Sequence, residues 1–314
     1  MNCFFDAHCD TVYEASRQNL SLMQNNLQLD IERMEKYDTY IQVFAAFVDK
    51  KSIKCTPMQH CLSLIEKYRY EVEKNKISVI QSIEELQKAN KDGGVWSILS
   101  IEGGEALGGE LSAIKKFYDL GVRLITLTWN YSNEIADGIT EIRGGGLTEF
   151  GKEAVKVMED MGILIDVSHI SEKGFWDVYE ITRYPFVASH SCVKALCNHP
   201  RNLTDEQIKA IIYKNGCIGV NFYPLFLDVT GKCSYTKIAE HIEYIINLGG
   251  ENCVGLGSDF DGVENLPYGI SGVQDMHKLT DCMYSVGFSE KIINKVLFDN
   301  FYRIFFQTFD RVYC

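Results

Sequence analysis

Short apolar runs, rich in β-branched and aromatic residues, alternate through this chain with longer segments of helical spacing, and few folds accommodate that rhythm. The short runs lie at about 2–7, 41–48, 95–101, 122–128, 162–168, 185–190, 216–222 and 253–258, and they read as parallel strands buried on both faces. A ninth run at 77–81 fits either an extra strand beside the others or part of a loop. Helical spacing marks about 57–75, 109–119, 148–161, 171–182, 204–215 and 234–248, with more helix over 273–310. Thr204 and Gln207 have capping-box spacing, and Ser234 and Ser289 suit later caps. Gly121, Gly162 and Gly216 stand where helices should end, at positions that often need positive φ.

Eight such units close naturally into a (β/α)8 TIM-like barrel, and 314 residues suit one domain spanning 1–314. An open doubly wound sheet would bring a glycine-rich phosphate turn after its first strand. Asp6-Ala7-His8-Cys9-Asp10 stands there instead.

The formal net charge of −12 argues against nucleic acid or anionic lipid as a partner. No apolar run is long enough to span a membrane. The start, Met-Asn-Cys-Phe-Phe-Asp, has no secretion-signal pattern, and the end at Tyr313-Cys314 has no apolar tail, so a soluble, cytoplasmic protein is expected. Eleven scattered cysteines, several inside apolar runs, fit a reducing compartment without structural disulfides.

The chemistry concentrates at strand ends. His8 and Asp10 end the first strand, and alternation puts them on one side with Cys9 on the other. Glu102 ends the third strand, His169 the fifth, His190 the sixth, and Asp259-Phe260-Asp261 the eighth. In a barrel these ends ring one mouth. Carboxylates and imidazoles at that density need a compensating cation; the donor mix suits Zn2+, with Mn2+, Fe2+ and Co2+ as alternatives. Five or six ligands are too many for one tetrahedral ion with an open position, whereas two ions sharing a carboxylate use them all. Glu102 is the candidate glutamate for that bridge, with Gly103 and Gly104 allowing close approach.

Other features carry less. Residues 146–152 have phosphate-loop spacing, but Glu153 replaces the magnesium-binding hydroxyl and no strand precedes them. Arg143-Gly144-Gly145-Gly146 reads as a mobile loop or lid over the mouth. Cys192, Cys197 and His199 lack a fourth ligand and familiar zinc spacing, so packing is the better reading. His60, His241 and His277 fall in helices away from strand ends, as surface or packing residues. The 17 tyrosines and 17 phenylalanines suit helix-on-barrel packing and also a homo-oligomer face, such as a dimer's.

Six ordered motifs then give a specific match: D-A-H-C-D-T at 6–11, S-I-E-G-G at 100–104, I-T-L-T-W-N at 125–130, L-I-D-V-S-H at 164–169, S-H-S at 189–191 with P-R-N-L at 200–203, and G-S-D-F-D-G at 257–262. On these the chain resembles the membrane dipeptidase family of zinc peptidases, within the amidohydrolase superfamily. The resemblance implies that His8, Asp10 and Glu102 hold one zinc, and Glu102, His169 and His190 the other, with a hydroxide between. It implies Asp259 as proton shuttle and Arg201 as partner of a dipeptide's free carboxylate, a task suited to a planar guanidinium. It also implies tolerance of a D-residue at the C-terminal position. Trp129 departs from the pattern, standing where mammalian-type members carry a substrate-contacting histidine; Asn130 is a candidate for part of that role. Asp261 reads as structural. Hydrolysis of N-acyl amino acids or lactones, and a non-catalytic metal- or peptide-binding barrel, are the competing functions.

Overall fold

The computed structural model of the chain describes residues 2–311; Met1 and residues 312–314, with the Tyr313-Cys314 end considered above, lie outside them. Among the described residues nine parallel strands run as β1 (Cys3–Cys9), β2 (Thr39–Phe47), β3 (Ser78–Val79), β4 (Gly94–Glu102), β5 (Val122–Thr126), β6 (Leu164–Asp166), β7 (Val187–Ala188), β8 (Cys217–Val220) and β9 (Val254–Leu256). Their order is β2-β1-β9-β8-β7-β6-β5-β4, and β4 pairs back onto β2, closing an eight-stranded barrel. The closing pair is in register from Thr39 opposite Gly94 to Phe47 opposite Glu102. The short β3 lies beside the barrel on β4, opposite Trp96 and Ser97, which decides between the two readings of run 77–81.

Successive residues of a strand serve opposite faces. Phe4, Tyr40 and Leu99 join the larger apolar cluster, whereas Phe5, Ile41 and Ile98 join a second one built with Phe298, Phe301 and Phe305. Phe5 stacks on Phe301 and Phe305 at 5.9 and 5.3 Å, so the C-terminal helix Asn300–Asp310 is anchored to the first strand. Both strand faces are covered, which is why the strands read as apolar runs and not as alternating ones.

Local chemistry sets the helix ends. The capping box of Thr204 and Gln207 forms, and Ser289 accepts from the Ile292 amide. Ser234 does not cap: its hydroxyl bonds that of Thr236, and the helix Thr236–Ile245 begins without a side-chain cap. Gly121 and Gly162 adopt positive φ, but before β8 it is Asn215 that does so. Gly216 is needed for space, since a Cβ there would lie 2.2 Å from the Phe186 carbonyl oxygen. The segment 273–310 divides into Met276–Ser285, Glu290–Asn294 and Asn300–Asp310. Helices Thr11–Gln18 and Ile83–Asp92 are further elements that the spacing does not single out. All ten described cysteines are unpaired.

Candidate metal centre

The strand ends deliver their polar residues to one buried point. His8 Nε2 lies 3.4 Å from a Glu102 oxygen, 3.5 Å from Asp10 and 3.7 Å from Asp259. The other Glu102 oxygen is 3.0 Å from His169 Nε2 and 3.4 Å from His190 Nε2. Among the described residues, three groups of donors converge tightly enough to hold an ion: His8, Asp10 and Glu102; Glu102, His169 and His190; and His8, His190 and Asp259. Glu102 belongs to the first two, with one oxygen toward each.

The backbone at this rim is unusual. His169, Asp259 and Asp261 all occupy the left-handed region, with φ of 68°, 62° and 67°. Non-glycine residues seldom do so, and such conformations cluster where side chains must be aimed. Asp259 is further held by the Asn221 amide, which donates to its Oδ2 at 2.8 Å. Asp261 turns away to accept from Thr11 Oγ1 at 2.6 Å and the Gln28 amide at 2.7 Å, tying the last loop to the first.

Outer contacts fix which imidazole nitrogens face inward. Ser189 Oγ donates to Asp166 Oδ2 at 2.5 Å, so its lone pair is left to accept from His190 Nδ1–H at 2.7 Å. His169 Nδ1–H donates to Asn130 Oδ1 at 2.8 Å. Both rings therefore present an Nε2 lone pair, and these two atoms are 2.8 Å apart. Asp166 also accepts from the amides of Ser168 and Ser189 and from Thr126, stitching β5, β6 and β7 together. Asp6 does the same between β1 and β9 through the Ser258 amide and hydroxyl. Sequence reasoning passed over Asp6, Asp166, Ser189 and Asn221. Three of them lie in the motifs quoted above, and Asp6 and Asp166 precede their histidine by two and three residues.

Electrostatics favour a cation at this point. Burial pushes the Asp10 carboxyl up to about 8, reinforced by the charge of Glu102. Asp259 is raised by burial too, with Glu102 again adding to the effect. Burial works against a charged His8, yet Glu102 and Asp10 outweigh it and raise its pKa. Burial drives His169 down to about 4, and His190 well below the ordinary range, leaving neutral rings. Neither nitrogen of the fully buried His8 has a hydrogen-bond partner among the described residues. Neutral imidazoles, crowded carboxylates and an orphaned ring are the donor chemistry of a metal site, and the residues fit one.

Above this point a cavity of about 380 Å³ opens, lined by Asp10, Glu102, His169 and Asp259 and by Tyr13, Phe47, Trp129, Tyr223 and Phe226. Its size is at the low end for small-molecule sites. Asn130 lines it as well, although its carbonyl oxygen is engaged by His169. Arg201 is buried behind this lining: its guanidinium lies 5.4 Å from the Phe226 ring centroid and donates to the His190 carbonyl at 3.2 Å. It borders a small cavity of about 30 Å³ with Ser191 and Asn202, and its Nε has no hydrogen-bond partner among the described residues.

The remaining candidates settle elsewhere. Cys192 and Cys197 direct their thiols at the carbonyls of Asn221 and Leu225, and His199 Nδ1 accepts from the Arg201 amide. His241 is fully buried between the Val193 amide and the Leu227 carbonyl, and His277 is exposed. Residues 143–146 do not line the mouth cavity; Arg143 and the Gly145 amide are bound by buried Asp137. No helix among the described residues is long and apolar enough to cross a membrane.

The family model for membrane dipeptidases, peptidase family M19, matches residues 2–311. A Klebsiella pneumoniae relative, described as an uncharacterized protein in the pqqA 5′ region, is 35% identical over 239 residues, covering 73% of this chain and 88% of its own. Among solved structures, a metallo peptidase from Rhodobacter sphaeroides liganded with a phosphinate mimic of the dipeptide L-Ala-D-Ala superposes with a TM-score of 0.89. It is 26% identical, with 98% of this chain and 99% of that chain covered. Dipeptidase AC, a family M19 metallo peptidase, gives 0.89 at 27% identity, with 98% of each chain covered. A parallel barrel with this strand-end constellation, matched along nearly its whole length by the family, makes the chain a metal-dependent dipeptidase of the membrane dipeptidase family, peptidase family M19.

Proposed function

We propose that the protein hydrolyses free dipeptides with a pair of Zn2+ ions, one held by His8, Asp10 and Glu102, the other by Glu102, His169 and His190. The observation that carries this reading is the position of Glu102, whose two oxygens face His8 on one side and His169 with His190 on the other. Bound there, the ions would supply an attacking hydroxide and polarise the scissile carbonyl. Asp259 is the proton carrier in this reading. Its Oδ2 is occupied by Asn221, which leaves Oδ1, facing His8, to take a proton and return it to the leaving amine. Arg201 pairs with the substrate's free carboxylate, which selects dipeptides because an internal residue offers no such charge. Asn130, with its oxygen on His169, has its amide N–H left to meet the carbonyl oxygen of the substrate. Both L-L and L-D dipeptides are substrates in this reading, and the phosphinate mimic of L-Ala-D-Ala bound by the Rhodobacter peptidase supports the L-D part. The unpaired thiols support work in a reducing, cytoplasmic setting.

Metal analysis coupled to a panel of L-L and L-D dipeptides tests the reading. Glu102→Ala is expected to lose both metal and turnover, and Asp259→Asn to lose turnover with metal retained. Full zinc occupancy in Glu102→Ala would refute the bridging assignment. Cleavage of N-acyl amino acids but of no dipeptide would refute the substrate.

A further inference from the structure

Going one step beyond the dipeptidase reading, and resting on it, we infer that the enzyme selects the side chain of the N-terminal residue and favours a large aromatic one. The selecting surface is a wall made by Tyr13, Phe47 and Trp129.

The closed order of the barrel sets which strand ends face one another across the mouth. Arg201 follows β7, and four steps around the ring from β7 is β2, whose last residue is Phe47. A dipeptide with its carboxylate at Arg201 and its peptide bond over Glu102 therefore points its N-terminal residue across the mouth, toward Phe47. Tyr13 enters from the adjacent β1 side, and Trp129 follows β5. All three line the cavity. Their rings form a continuous edge-to-face chain: Tyr13 to Phe47 at 5.2 Å and 86°, then Phe47 to Trp129 at 5.2 Å and 71°.

Such packing holds the rings rigid and leaves edges and faces to a further aromatic group at little ordering cost. Trp129 is also buttressed from outside by Tyr131, over which Lys51 sits at 3.2 Å from the centroid. Across the mouth the Phe226 ring is already committed. Phe226 packs on His199 at 4.5 Å and on the Arg201 guanidinium at 5.4 Å. Glu14, which lines the cavity next to Tyr13 in the chain, is engaged by Arg17 and Gln18. The three rings thus offer apolar contact, whereas the dipeptidase reading gives the substrate carboxylate a guanidinium partner. An apolar wall set across the mouth from the carboxylate's partner should read the two ends of a dipeptide differently.

Isomeric substrates isolate the effect, because Phe-Gly and Gly-Phe have the same atoms. With the metal-loaded enzyme, kcat/KM for Phe-Gly is expected to exceed that for Gly-Phe by about 10-fold to 100-fold, the range that one buried apolar group confers on specificity. Phe47→Ala should shrink the ratio toward unity, and Phe47→Leu should restore most of it, a pattern that general loss of structure cannot produce. Equal rates for the isomers, or faster Gly-Phe, would overturn the inference while leaving the dipeptidase reading intact. Cleavage of neither isomer, nor of any other dipeptide, would overturn both. If Phe47→Ala does not fold, the wild-type ratio still decides.

Discussion

Ser189→Ala should weaken metal binding without touching a ligand. In the native protein the Ser189 hydroxyl is committed as donor to Asp166, 2.5 Å away, and so can only accept from His190 Nδ1, 2.7 Å away. This relay keeps the proton on Nδ1 and the lone pair on Nε2, the atom that faces Glu102 at 3.4 Å. Removing the hydroxyl leaves the buried Nδ1–H without an acceptor and frees the ring to hold its proton on Nε2, where it blocks coordination. Asp166 keeps its other donors, the amides of Ser168 and Ser189 and the Thr126 hydroxyl, so the strands stay joined. Loss of such an outer contact typically costs about 10- to 100-fold in metal affinity, or about 1.4–2.7 kcal/mol. Competition of Zn2+ between the protein and a chromophoric chelator measures this directly, with circular dichroism confirming the fold. Ser189→Thr, which keeps a hydroxyl, should recover most of the affinity. Affinity of Ser189→Ala within about twofold of wild type would refute the relay.

Gly257→Ala should be severely destabilising, by about 3 kcal/mol or more in urea unfolding, because its Cβ would lie 1.8 Å from the Ser189 carbonyl oxygen, a backbone atom that cannot swing aside as a side chain can; a near-neutral result would show that the segments just past β7 and β9 can move apart. His241 accepts from the Val193 amide and donates to the Leu227 carbonyl, and burial lowers its pKa against the help of that carbonyl. Its contribution to stability is therefore complete above the unfolded-state value near 6.5. It is lost as pH falls below that, because the unfolded chain takes up a proton the folded one refuses, at up to about 1.4 kcal/mol per pH unit. Urea midpoints at pH 7.5 and 5.5 should differ less in His241→Gln than in wild type, and an unchanged difference would count against the assignment. Stripping metal with a chelator should abolish dipeptide turnover and lower the melting temperature, since a ligand at about a thousand times its Kd contributes roughly 4 kcal/mol. Turnover that survives verified metal removal would contradict metal dependence.

Much of this was written in short-range patterns. The apolar runs lie where strands form because strands buried on both faces leave little room for polar residues, and Thr204 and Ser289 cap their helices because capping involves only three or four residues. The residue types of the site were legible for the same reason: His8, Asp10, Glu102, His169, His190 and Asp259 each stand at or just beyond a strand end. Tertiary structure decided what depends on partners distant in the chain. The β2–β4 closure sets Phe47 beside Glu102, and Asn130 and Ser189 choose the nitrogens that His169 and His190 turn inward. The positive φ before β8 falls on Asn215, with the adjoining glycine reserved for its approach to Phe186. A chain's own periodicity records which face each residue must hide, but the direction of a proton or the clearance of a missing Cβ is fixed only when another strand arrives against it.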